Sequence, residues 1–424
     1  MGKNTIYYGP PGTGKTYLLQ ELMVNYIGFN ISDEDIEKSY LSTSKEWVPI
    51  VLILLNNNNS LRSEDIQTKI GEVIGPTYNI SVSTILSDHS VELSSNLTLE
   101  SSDPRIFNQH EGKWFVILEN LLLYKSNFLS EYIDKDSMNE RYSFVTFHQS
   151  FVYEDFVEGI RPLITNETNQ MEGEIGYSIE PGVFKKICEE AVNNSQMNYA
   201  IFIDEINRGN ISEIFGELIT LIETDKRLGE ANQLEVTLPY SKKKFGVPKN
   251  LDIIGTMNSA DRSIATIDIA LRRRFNFISS KPDPEKLKLL LEKNNVDPRD
   301  IEGIDLIKLF EILNKRIESL LDSNFAIGHA YFTNVKNYSD LLNVLVKKII
   351  PLLEEYFFED LKKVQMILND LDSNGDLKSN AIYKSDLLET DRLFEYVGDY
   401  INEDKTSYFT SDNIEKHAVI KIYE

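Results

Sequence analysis

The sequence predicts an α/β fold built on a parallel sheet, and the ends of three apolar runs carry that prediction. In the first, Thr5-Ile6-Tyr7-Tyr8 leads into Gly9-Pro10-Pro11-Gly12-Thr13-Gly14-Lys15-Thr16 and on into the helix-like 17–23. In the second, the apolar run 199–203 stops at Asp204-Glu205; in the third, 251–257 stops at Asn258. Near-continuous apolar runs suit strands buried on both faces, and in doubly wound sheets ligands sit at the carboxyl ends of the strands.

Strand, glycine loop and helix together make the context of a phosphate-binding loop. In that geometry the backbone N–H groups of Gly12 to Lys15 surround the α- and β-phosphates at a helix N-terminus. Lys15 reaches the β- and γ-phosphates, and Thr16 supplies a hydroxyl to Mg²⁺. Glycines are required where the backbone takes conformations that a Cβ blocks. Asp204 is placed to hold the Mg²⁺ shell, and Glu205 to polarise a water for attack on the γ-phosphate. Asn258, on the neighbouring strand, can hydrogen-bond the γ-phosphate and that water. Of the run Arg272-Arg273-Arg274, an arginine at a subunit boundary can reach the neighbour's γ-phosphate and stabilise its transition-state charge.

The 424 residues allow two or three domains with cores of their own. Cys188 is the single cysteine, which excludes an intrachain disulfide and a cysteine-based zinc site and fits a reducing compartment. There is no apolar run of roughly 18 residues and no leader pattern at the N-terminus, so the expected location is cytoplasmic, with no membrane contact. A net charge of −23 repels a phosphate backbone over most of the surface. Nucleic-acid contact is therefore expected to be local, as in the pore of an oligomer, or delegated to a partner.

Along the chain, residues 31–45 are acidic and polar and read as a surface connection. Val48–Leu55 is apolar, 62–74 is helix-like, 80–86 is a further short helix, and Arg105–Phe107 with Lys113–Leu118 flank His110-Glu111-Gly112 as a hairpin. Three short helices and a hairpin suggest a winged-helix-like module. Residues 45–119 carry five Lys/Arg against ten Asp/Glu, however, and an acidic module binds phosphate poorly, so its expected role is protein contact or structure. The strand 142–147 resumes the core. The polar stretch 166–176 reads as a hairpin inserted into a helix, Pro181 as the start of the helix through Val192, and 212–223 as one helix. A second hairpin, 234–247, carries Lys242-Lys243-Lys244, the most concentrated basic spot, read either as a solvated tip or as a contact to an anionic polymer. Beyond Asp283, helices are expected over 284–294, 304–323 and 338–357. His329 is either a packed turn histidine or a nucleotide contact. Asp370–Asp376 reads as an Asp/Asn-Gly turn, because the position where a calcium loop needs a bidentate Glu is Ala381.

With these residues in view, the chain resembles the AAA+ superfamily and, within it, the McrB group. The likeness rests on Gly9–Thr16, Val145–Ser150 with Tyr153–Phe156, Phe202–Gly209, Met257–Ser263 with Arg272–Phe275, and Ile327–Phe332. It covers 1–28 and about 141–360. The group usually has Thr where Ser259 stands, a change that keeps the hydroxyl. The resemblance implies a five-stranded parallel core with β-hairpin insertions, an α-helical lid, and a homo-oligomeric ring, typically a hexamer, with nucleotide at each interface. It implies hydrolysis of GTP (or ATP) with Mg²⁺ in a system that restricts foreign DNA. Carried over by position, Lys15 and Thr16 bind phosphate and metal, Asp204 and Glu205 form the acidic pair, Asn258 is the sensor, and Arg273 or Arg274 is the finger acting in trans. Asp261 and Arg262 link that site to the interface and to an activating partner, a McrC-like nuclease subunit.

The expected domains are the nucleotide-binding core at 1–30 and 141–280, the insertion at 31–140, the lid at 281–365 and a C-terminal extension at 366–424. Since the loop starts within ten residues of Met1, no segment ahead of it is expected to read modified DNA, and DNA is expected to be met through the pore or the partner. The competing expectations are a MoxR-like ATPase that remodels a polypeptide and a nucleotide-gated scaffold with little turnover.

Overall fold

The alternating and apolar runs become five strands of one sheet: β1 (Asn4–Gly9), β2 (Tyr142–Thr146), β3 (Tyr199–Asp204), β4 (Leu251–Asn258) and β5 (Asn276–Ser279). This computed structural model describes residues 2–43, 45–57, 59–75, 81–91, 104–124, 128–132, 138–162, 176–261, 269–358, 360–388 and 405–424. The sheet order is β5-β1-β4-β3-β2. Strand β3 runs parallel to β4, with Ile201 opposite Ile253, and to β2, with Phe202 opposite Phe144. Tyr199 through Ile203 are all buried, which is why this strand reads as an unbroken apolar run. The fold is α/β, built on a five-stranded core sheet whose central strand pairs in parallel on both sides.

Contacts divide the chain into two compact units, the division falling within β1 and β4. One comprises Met1–Thr5, Thr16–Gly255 and Ile267–Phe275; the other Ile6–Lys15, Thr256–Thr266 and Asn276–Glu424.

In the first unit, a two-stranded ladder between Ile27–Phe29 and Met138–Glu140 ties together the ends of a long excursion from the core. Within it lie helices Asp33–Ser42, Trp47–Asn56, Ser63–Ile74 and Val82–Asp88, and the hairpin Phe107–His110/Lys113–Val116. Ser32 and Asp35 cap the first of these reciprocally. Helix Trp47–Asn56 is the centre of this module: every residue from Trp47 to Leu55 is buried, so its run shows no amphipathic period. Pro49 is tolerated because it falls in the first turn, where its missing N–H breaks no intrahelical bond. Leu61 and Trp114 exchange backbone hydrogen bonds (2.7 and 3.2 Å), joining the segment after that helix to the hairpin.

Two further hairpins leave the core. Glu158–Pro162 pairs with Tyr177–Pro181, and the polar tip at 163–175 lies outside the described residues. Pro181 ends this ladder, and the next helix starts at Val183 behind Gly182. A side chain on Gly182 would strike the Phe156 carbonyl carbon at 2.4 Å. The second hairpin pairs only Val236–Thr237 with Lys244–Phe245. The helix expected over 212–223 stops at Phe215, because Gly216 takes φ +50° under the Tyr153 ring and the chain tightens into a 3₁₀ turn.

In the second unit, helix Pro284–Lys293 is capped by Asp283, Leu306–Leu320 by Asp305, and Tyr338–Val344 by Asn337. The last widens into a π turn at Leu345–Ile349 before Ile350–Tyr356, just where Pro351 cannot donate to the α-helical ladder. Residues from 366–424 bury into the same core: Ile367, Ile382, Ile414, Val419 and Ile422 join Leu309, Leu313 and Ile349. Asp370, fully buried, accepts from the Ile382 and Tyr383 amides and pairs with Lys421 at 2.6 Å. Asp372 closes the turn behind it by accepting from Asn374 and Asp376. Among the described residues no helix is long and apolar enough to cross a membrane.

Candidate nucleotide-binding site

The loop after β1 takes the shape its glycines permit. Gly12 and Gly14 sit at φ +74° and +78°, in the left-handed region that a Cβ disfavours, and the helix starts at Lys15. The Lys15 ammonium is buried inside the loop, 2.8 Å from the Gly9 carbonyl and 2.7 Å from that of Pro10, with the Thr13 hydroxyl at 3.4 Å. Those acceptors are neutral, so an anion entering the loop offers Lys15 a stronger partner. The N-terminal end of the helix that starts at Lys15 likewise favours an anion. The Ser259 amide donates to the Gly9 carbonyl (3.0 Å) and the Ser280 amide to that of Tyr8 (2.7 Å), so the segments after β4 and β5 flank the loop's entry. Asn258, one residue back, accepts from the Ala260 amide through Oδ1 at 3.2 Å.

A second segment closes over the same loop. The Gly328 amide donates to the Pro11 carbonyl (3.0 Å) and the Ala330 amide to that of Gly12 (2.8 Å). A Cβ on Gly328 would lie 1.9 Å from the Gly12 carbonyl carbon, so only glycine fits there. The Tyr331 ring covers Gly12, and the His329 Nε2 comes within 3.8 Å of where a Gly14 Cβ would stand. His329 is buried, and its Nδ1 faces the Asp283 amide at 3.3 Å. Burial first, then the Lys286 charge, hold its pKa below the usual histidine value, against the opposing pull of Asp283. The ring is therefore neutral near pH 7, and because Nδ1 accepts, the proton sits on Nε2. Sequence reasoning had singled out His329 but missed the backbone strap that carries it; Gly328 within the 327–332 motif was the available signal. A cavity of about 620 Å³, lined by Tyr8, Gly9, Pro10, Lys281, Asn314 and Asn324 among others, opens beside the loop's first residues.

In the first unit, the Thr16 hydroxyl lies 3.2 and 3.4 Å from the two Asp204 carboxylate oxygens. A hydroxyl and a carboxylate are the hard oxygen donors that Mg²⁺ takes, with water and phosphate completing the shell, so these two residues fit that ion. Glu205 stands at φ +53°, a conformation rare for a non-glycine residue, with its carboxylate 3.2 Å from the Arg208 guanidinium.

The three arginines differ sharply. The Arg274 side chain is 5% exposed and grips Glu223 at 2.6 Å, whereas Arg273 is 68% exposed and only skirts Glu223 at 3.7 Å. Arg272 is exposed. The Lys226 hydrogen bond (2.5 Å) first, and then the Arg274 and Arg273 charges, hold the Glu223 carboxyl below the usual carboxylate range. Asn4 also binds the Arg274 carbonyl at 2.9 Å. Glu223 carried no sequence signal as a partner for the arginines. Asp261 is half-buried, while Arg262 lies outside the described residues.

Residues 125–275 match the family model of an AAA domain (dynein-related subfamily), and residues 305–365 match that of the McrB alpha-helical lid domain. The EcoKMcrB subunit of a type IV methyl-directed restriction enzyme from Escherichia coli (strain K12) is 39% identical over 246 residues, covering 55% of this chain and 50% of that protein. The BsuMI component YdiS of a type II restriction enzyme from Bacillus subtilis (strain 168) is 24% identical over 271 residues, covering 55% of this chain and 76% of its own length. The chain thus spans about half the length of the first of these relatives.

Proposed function

This chain is an McrB-like AAA+ protein, and from that premise we propose that it is a nucleoside-triphosphate-hydrolysing ring motor in a restriction system. The nucleotide is GTP in preference to ATP, the partner is a McrC-like nuclease, and the target is foreign DNA. The ring is a cytoplasmic homo-hexamer. The observation that carries this reading is the approach of Thr16 to Asp204 directly after the phosphate loop. It supports hydrolysis with Mg²⁺ over mere phosphate binding.

On this reading Gly9 to Thr16 seat the triphosphate, and Lys15 exchanges the Gly9 and Pro10 carbonyls for phosphate oxygens. Thr16 and Asp204 hold Mg²⁺, which when bound would neutralise charge on the phosphate oxygens. Glu205 takes the proton of the attacking water, and Asn258 orients that water. Arg273 is the trans-acting finger, because it is exposed while Arg274 is committed to Glu223 within its own chain. Asp261 and Arg262 link that site to the subunit interface and to the activating nuclease subunit. Residues 1–30 and 141–280 form the nucleotide-binding core, 281–365 the lid and 366–424 its extension. The 31–140 insertion is a winged-helix-like module whose acidic surface favours a protein partner over DNA.

Turnover of GTP and ATP, measured with and without an added McrC-like nuclease subunit, tests the proposal. The expected result is GTP hydrolysis stimulated by that subunit. Hydrolysis of ATP alone, stimulated by a polypeptide, would instead favour a MoxR-like remodelling activity. Glu205→Gln should keep nucleotide binding and lower turnover by about 10²–10⁴-fold. Unchanged turnover would remove Glu205 from its role.

A further inference from the structure

The turn between the two short strands of the second hairpin is built more firmly than a solvated loop tip requires. Its Leu238 amide donates to the Lys243 carbonyl (2.9 Å) and the Lys242 amide returns to the Leu238 carbonyl (3.1 Å). Lys242 is held at φ +57°, where residues with a Cβ rarely go. Below the turn, one oxygen of the fully buried Glu158 carboxylate accepts from both the Tyr240 and Ser241 amides (3.1 and 2.9 Å). The other oxygen pairs with buried Lys185 at 2.7 Å. The Tyr240 hydroxyl is bound in turn by Glu154. This framework presents Lys242, Lys243 and Lys244, all exposed, and none of them has an ion pair among the described residues. Two carboxylates of this framework are engaged by other groups, Glu158 by Lys185 and Glu154 by Tyr240.

We propose that Lys242-Lys243-Lys244 form a binding site for the phosphate backbone of DNA, a reading that rests on the DNA-directed function proposed above. In a chain of net charge −23, three adjacent ammonium groups with no ion pair among the described residues make, on this fixed turn, a local exception to a repulsive surface. The chemistry suits phosphate better than a protein surface. Leu238 and Phe245 are buried under the turn, so its tip offers point charges without the apolar centre that a protein interface needs. The site contacts backbone and not base edges, so it binds without regard to sequence.

The test is fluorescence anisotropy of a labelled DNA duplex across a salt series, with the full chain carrying Lys242→Gln, Lys243→Gln and Lys244→Gln together. A control carries Lys336→Gln, Lys347→Gln and Lys348→Gln, three exposed lysines of the other unit. Thermal melting and basal nucleotide turnover verify that both variants fold. Each phosphate contact contributes about 0.9 to the slope of log affinity against log salt, so losing three lowers the slope by about 2.7 and weakens binding roughly 100-fold at ~0.15 M salt. The control should change neither by a comparable amount. Wild-type binding with an unchanged slope in the turn variant overturns this site and leaves the DNA-directed reading standing. A wild-type chain that binds no duplex in any nucleotide state overturns the site, and one that still binds none with the McrC-like subunit added overturns the DNA-directed reading as well. Binding of polyglutamate but not of duplex, lost with the three lysines, would reassign the turn to an acidic protein segment and overturn the proposal.

Discussion

Replacing Gly328 with alanine tests whether the strap over the phosphate loop shapes the site. The new Cβ would stand 1.9 and 2.0 Å from the Gly12 carbonyl carbon and oxygen and 2.4 Å from the Thr13 nitrogen. All three are backbone atoms of a loop whose own geometry is constrained, so the strap must withdraw until an ordinary contact near 3.4 Å is restored. That displacement breaks the Gly328–Pro11 and Ala330–Gly12 hydrogen bonds, each contributing about 1 kcal/mol net. It also lifts the Tyr331 ring from Gly12, so the summed loss is about 2–4 kcal/mol. Guanidinium denaturation should show the midpoint moving down, and a fluorescent nucleotide analogue should bind at least about tenfold more weakly. Gly71→Ala is the control: nothing lies within 4 Å of that added methyl, and alanine in the interior of helix Ser63–Ile74 should be neutral or stabilising by up to about 1 kcal/mol. A Gly328→Ala protein with wild-type stability and wild-type nucleotide affinity would refute the strap.

The two arginines beside Glu223 should separate by assay. Arg274→Ala is expected to lower stability by about 1–3 kcal/mol, measured by chemical denaturation, because its buried guanidinium holds Glu223. Arg273→Ala should melt as wild type yet lose turnover in the assembled protein; normal turnover would point to a different finger. Glu158→Ala leaves the Lys185 ammonium buried without its partner and should cost about 3–5 kcal/mol, while a loss below about 1 kcal/mol would show that the pair is not a structural anchor. His329 has a depressed pKa in the folded chain, so its neutral form contributes stability that is present above the ordinary value of 6.5 and lost as pH falls through the lower folded value. Melting temperature and nucleotide affinity should hold from pH 7 upward and drop below about pH 6, and His329→Asn should flatten that dependence.

The legible features were those whose physics is local. The glycine loop reads directly because Gly12 and Gly14 occupy angles that other residues avoid. β3 reads because a strand covered on both faces needs apolar residues at every position. The helix start after Asp283 reads because a side-chain carboxylate caps the adjacent amides, whereas the helix expected over 304–323 runs only Leu306–Leu320, behind an Asp305 cap. Where local patterns misled, a tertiary contact had intervened, as at Gly216 under Tyr153 and Gly182 against Phe156.

By itself, then, the sequence determined the α/β class, the glycine loop and the acidic and amide strand ends, each of which is a short stretch whose residue types follow from its own backbone or burial. The tertiary structure decided which arginine is committed within the chain, what covers the loop, and what anchors the lysine turn. Those answers depend on Glu223 meeting Arg274, Gly328 meeting Gly12 and Glu158 meeting Ser241. Such partners lie far apart in the chain, and neither member of a pair carries a local signal that names the other.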